Sequence, residues 1–107
     1  MWKALIMDAG HALRRAIVAI APSDSVVEET SSRSWASITF TGARHRIVLR
    51  LDGAGANEAA DRLFENLKVA EFELRGHVVA DIGVVAREIA PNDGVRLTIE
   101  ALTVEDA

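Results

Sequence analysis

Twice along this chain the spacing of apolar residues changes from about 3.6 to 2, a pattern that few folds accommodate. Between residues 2 and 21, Trp2, Leu5, Ile6, Ala9, Leu13, Ala16, Ile17 and Ile20 recur on one side of a helix turning about 100° per residue, with Lys3, Asp8, His11 and Arg15 opposite. Gly10 sits inside that helix at a cost of about 1 kcal/mol relative to alanine, and Pro22-Ser23-Asp24 stops it. Residues 35–41 then alternate, with Ala36, Ile38 and Phe40 on the core side. Gly42-Ala43 turns the chain into a second run, where Ile47, Leu49 and Leu51 alternate with Arg46, Val48 and Arg50, so a β-hairpin is predicted. The polar stretch 23–34 fits a loop or an edge strand equally well.

The same change of period follows once more. Asp52-Gly53-Ala54-Gly55 breaks the strand, Asn57 is the predicted N-cap of a second helix, and Ala56, Ala60, Leu63, Phe64 and Leu67 form its predicted buried stripe. From Gly76 the spacing returns to 2. Val78, Ala80, Ile82, Val84 and Ala86 fall on one face and His77, Val79, Asp81 and Val85 on the other, with Gly83 marking a candidate bulge. Pro91-Asn92-Asp93-Gly94 predicts a turn, with glycine supplying a positive φ late in it. Its outgoing strand points Val95, Leu97, Ile99 and Ala101 inward, with a register change expected at Leu102 and Val104.

The resulting order, α-β-β-α-β-β, predicts an α+β domain over residues 1–107: an antiparallel sheet of four or more strands with two helices on one face. A ferredoxin-like topology is its nearest common relative, except that β-α-β-β-α-β begins with a strand and none is found before the first helix. A chain of 107 residues suits one hydrophobic core, and 50% hydrophobic against 26% charged residues takes it out of the disordered class.

Absence of cysteine removes disulfides, thiolate nucleophiles and thiolate metal sites, and fits a reducing, cytoplasmic location. Arg14-Arg15 ahead of the run 16–21 superficially resembles a twin-arginine export signal, but that run is shorter than the ~7–15 residues such a signal needs. No stretch approaches the ~20 apolar residues of a membrane span. Residues 1–50 hold seven Lys/Arg against four Asp/Glu, while residues 51–107 hold five against twelve. That acidic balance argues against nucleic acid as a partner, even though Arg44, His45, Arg46 and Arg50 lie together near Trp35.

The Gly53-Ala54-Gly55 loop lacks the third glycine of a phosphate-binding pattern, with Glu58 in its place, so it reads as an ordinary strand-to-helix turn and no cofactor is expected. His11, His45 and His77 share no local ligand spacing, so no metal site is expected. His77 and Asp81 share a face in the alternation but stand about 13 Å apart at ~3.3 Å per residue. His45 on a neighbouring strand could meet one of them. Trp35, Val48, Val79 and Val85 are assigned to the sheet face away from the helices, where apolar residues among charges resemble a half-polar interface. The leading expectation is therefore a non-enzymatic interaction module that forms a homodimer or joins a larger assembly through its sheet. The alternative is a small-molecule binder or enzyme using His45, His77, Asp81 and Arg46 in a pocket between sheet and helices or at a dimer cleft.

Overall fold

Helix α1 (Trp2–Ile20) leads into hairpin β1 (Val26–Ala36) and β2 (Thr41–Leu51); helix α2 (Ala56–Val69) crosses to hairpin β3 (His77–Ala90) and β4 (Gly94–Glu105). This computed structural model describes residues 2–106, with side chains from Ala9 onward. The fold is α+β, and the four strands form one antiparallel sheet in the order β1-β2-β4-β3. The order reads alike from either edge: each hairpin places its first strand outside and its second in the centre. No strand precedes α1 among the described residues, so the architecture is two successive αββ units rather than the ferredoxin-like order. No described helix is long and apolar enough to cross a membrane.

Both helices cover the same face. Ala9, Leu13 and Ile17 of α1 and Ala56, Ala59, Ala60, Leu63 and Leu67 of α2 are buried, and the helical stripes meet Ile47, Leu49, Leu51, Val95, Leu97, Ile99 and Ala101 of the two central strands in one core. The expected stripe members Trp2, Leu5 and Ile6 lie outside the described side chains. Phe64 departs from its predicted place: at 41% exposed it lies beyond the edge of the stripe, with the Lys68 ammonium 4.4 Å above its ring. Ala59 takes the buried position instead. The N-cap of α2 is Gly55, without a side-chain cap; Asn57 is the second residue of the helix, where its Oδ1 accepts from Arg87.

Residues 26–36 resolve as an edge strand, which moves the first turn five residues earlier than Gly42-Ala43. Ser37 N–H donates to the Phe40 carbonyl at 2.7 Å and Phe40 N–H to Ser37 Oγ at 3.1 Å, so Ile38 and Phe40, predicted inward, are exposed at a hairpin tip. Gly42 lies within β2 opposite Trp35; a Cβ there would run into the Thr103 carbonyl and lie 3.1 Å from the indole. In the second turn Asn92 and Asp93 adopt φ 60°, while Gly94 has φ −72°. Asparagine and aspartate tolerate that left-handed region, and they took the role expected of glycine.

Strand β3 carries two bulges, between Val79 and Asp81 and between Val84 and Ala86, rather than one at Gly83. Each extra residue inverts the alternation. His77, Val79, Ile82 and Val84 therefore all pair with helix-side residues of β4. Val79 is on the helix-covered side, packed against the core, and not on the open face as alternation alone predicts. Strand β4 pairs with β2 without a shift through Val104, so the expected register change is absent and Leu102 and Val104 point to the open face.

Candidate functional site

On the helix side of β2 the alternation Ala43, His45, Ile47, Leu49, Leu51 gives one position in five to a polar residue. His45 is 2% exposed, and both ring nitrogens are occupied: Nδ1 is 2.7 Å from Ser32 Oγ, its cross-strand partner on β1, and Nε2 is 2.8 Å from Thr103 Oγ1 on β4. Thr103 O–H donates to the Ala43 carbonyl at 3.4 Å, which leaves its oxygen to accept from Nε2–H and leaves Nδ1 to accept from Ser32 O–H. Burial first, and the charge of His77 second, push the His45 pKa below the usual histidine value. Helix α1 roofs the group: a Cβ at Gly10 would lie 2.9 Å from Ser32 Oγ and 3.4 Å from His45 Nδ1.

A serine hydroxyl on an imidazole lone pair is the contact that activates nucleophiles. Here the second nitrogen meets a threonine hydroxyl rather than a carboxylate, and the imidazole is a weakened base. With the α1 backbone lying against the pair, the contacts brace β1, β2 and β4 beneath the helix. At the same end Thr41 Oγ1 donates to the Glu105 carboxylate. His77, buried at the start of β3, donates Nδ1–H to the Arg75 carbonyl at 3.1 Å and leaves Nε2 without a partner. It borders a cleft of about 810 Å³ between the 70–76 loop and β3, lined also by Lys68, Phe72, Leu74, Val79 and Ile82.

The four catalytic candidates do not converge. His45 and His77 share the helix side, while Arg46 and Asp81 share the open face. The bulge between Val79 and Asp81 puts His77 and Asp81 on opposite faces, so they do not share the face that strict alternation gives them. No group of three or more His, Cys, Asp or Glu side chains suited to a metal occurs among the described residues.

The open face has its own cleft, about 460 Å³, with Arg33, Arg44 and Arg46 on the β1/β2 side and Asp81, Val85 and Glu100 across from them. Among the described residues none of these charges has an opposite charge within 4.0 Å. The other end of the face differs: Glu28 binds both Arg50, at 2.8 Å, and Arg96, at 2.6 Å. Hydrogen bonds from Arg96 and then Arg50 hold the Glu28 carboxyl below its usual pKa. Of the predicted interface residues, Trp35 is half-buried on this face with its Nε1–H unpartnered, and Val85 is an exposed bulge residue beside the cleft. Val48 is on the open face but only 8% exposed, set among Glu29, Thr98, Arg46 and Arg50.

Ser32, Thr103 and Glu105 were not legible as members of the polar cluster. Ser32 lies in the stretch that fitted loop or strand, and the expected register change excluded Thr103 from the inner face. A strict period of 2 from Val95 to Glu105 is the signal that finds it. No protein-family model, no curated protein and no solved structure matches the chain.

Proposed function

We propose that the chain is a cytoplasmic assembly module, without catalytic chemistry, that self-associates through the open face of its sheet. One observation carries this reading: the face away from both helices combines apolar Trp35, Val78, Val85, Leu102 and Val104 with Arg33, Arg44 and Asp81, which have no opposite charge within 4.0 Å among the described residues. An uncovered face of that composition suits a partner with the same mixture. The face is divided in sign rather than uniformly basic, which disfavours nucleic acid. Lack of cysteine supports the reducing compartment.

Sedimentation equilibrium from low to high micromolar concentration tests the reading, with a dimer as the expected species. A standard interface buries about 1,200–2,000 Å² in total. Val78→Asp, which sets a charge in the apolar row of Trp35, Gly42 and Val104 at a position that is exposed in the single chain, should yield monomers with an unchanged circular dichroism spectrum. A parent chain that stays monomeric at high micromolar concentration overturns the proposal.

A second reading, a small-molecule binder, draws on the orphan Nε2 of His77 beside the 810 Å³ cleft. With Nδ1–H committed to a carbonyl, Nε2 is an acceptor that suits a ligand hydroxyl or amine. A thermal-shift screen of polar metabolites tests it: a ligand at about 100 times its Kd adds ~2.7 kcal/mol, which His77→Phe should abolish.

A further inference from the structure

The strand register arranges the open face in five rows across β1, β2, β4 and β3. Three of them read Ser31, Arg46, Glu100, Gly83, then Arg33, Arg44, Leu102, Asp81, then Trp35, Gly42, Val104, Val78. The β1/β2 half of these rows is basic and the β4/β3 half is acidic and apolar. Arg33 and Arg44 are direct cross-strand partners. Like charges placed opposite each other are destabilising, and no carboxylate of the described chain neutralises them.

We infer that a second copy of this chain supplies the missing charges, packed face to face about a two-fold axis that runs along the strands between β2 and β4. This rests on the self-association reading and adds the symmetry. An axis along the strands exchanges left and right, so the basic half of one copy covers the acidic half of the other. Arg33 then stands over Asp81 of the second copy and Trp35 over Val78, while Arg46, which already has Glu100 as its cross-strand neighbour, stands over Glu100 of the second copy as well. An axis across the strands would lay basic half on basic half. An axis perpendicular to the sheet would join edges and leave the face bare. Only the first neutralises the rows.

The packing agrees with the geometry of known sheet pairs, whose strands stay within about 30° of alignment at ~10 Å separation. Four strands ~4.8 Å apart and about ten residues long at ~3.4 Å each present roughly 650 Å² of plane, before side-chain relief is counted. A standard interface takes about 800 Å² per partner. Of the two remaining rows, one needs no help because Glu28 already holds Arg50 and Arg96, and the other carries the single charge of Glu29 beside Val48, Thr98 and Ala86.

Arg33 and Asp81 lie on opposite edge strands, about 14 Å apart at three strand spacings, so each can be reversed without meeting the other in its own chain. Arg33→Glu and Asp81→Arg, each confirmed folded by circular dichroism, should separately weaken dimerisation by about tenfold or more. Mixed in equal amounts, the two variants should recover parental affinity as a one-to-one heterodimer, detected by native mass spectrometry. Parental dimerisation by both single variants, or a mixture that fails to associate, overturns this symmetry while a dimeric parent keeps the self-association reading. A monomeric parent overturns both.

Discussion

Gly10 and His45 show how single positions here are set by what lies across a packed boundary. Glycine inside a helix costs about 1 kcal/mol against alanine. Yet a Cβ at this position meets Ser32 Oγ at 2.9 Å. Gly10→Ala should therefore forfeit its helix gain and destabilise the chain by roughly 1 kcal/mol. The loss should shrink when Ser32→Ala is combined with it, a coupling that urea unfolding in a double-mutant cycle reads directly. His45 couples the same cluster to pH. Its folded pKa lies below the unfolded value of about 6.5, so the unfolded chain takes up the proton first as pH falls. Stability is then full above about pH 6.5 and declines below it, ceasing to fall once pH passes the folded pKa. The slope from this group is at most about 1.4 kcal/mol per pH unit. Urea titrations at stepped pH should show the decline in the parent and a flatter profile in His45→Gln. Equal slopes would remove His45 as the source.

At the scale of elements, helices were easier to read than strand boundaries. A stripe of period 3.6 over more than three turns over-determines its helix, and α1 and α2 stand where Ala9, Leu13, Ile17, Leu63 and Leu67 place them. The margin of a stripe is less determined, which is why Phe64 is half out. Leu63→Ala should cost about 2–5 kcal/mol, and Phe64→Ala under about 1 kcal/mol, in chemical denaturation. Strand β3 was legible in extent but not in facing, since a bulge leaves no mark in the apolar count and Ala80 looks like any small strand residue. Val79→Asp tests the facing. It should unfold the chain or destabilise it by several kcal/mol, because it drives a charge against the core, whereas the same change at Val85 should leave stability nearly untouched. The first turn was misplaced for a related reason: Ser37 closes it through its side chain, without the glycine that marks most hairpins.

For the whole molecule, sheet order decides what the charges mean. The basic excess of residues 1–50 and the acidic excess of residues 51–107 become two halves of one surface only because β2 pairs with β4. If unlike charges hold two copies together, dissociation should rise with salt, since about 1 M shortens the screening length to ~3 Å. Sedimentation in a salt series should show the dimer weakening; strengthening instead would indicate an interface dominated by apolar contact. Element types and their succession, the core of the two central strands and the second turn follow from sequence alone, because periodicity and turn chemistry are local properties of the chain. The pairing of His45 with Ser32 and Thr103, the separation of His77 from Asp81, and the division of the open face by sign belong to tertiary structure. They depend on register, bulges and strand order, which are set by contacts between residues 13 to 58 positions apart and have no local signature.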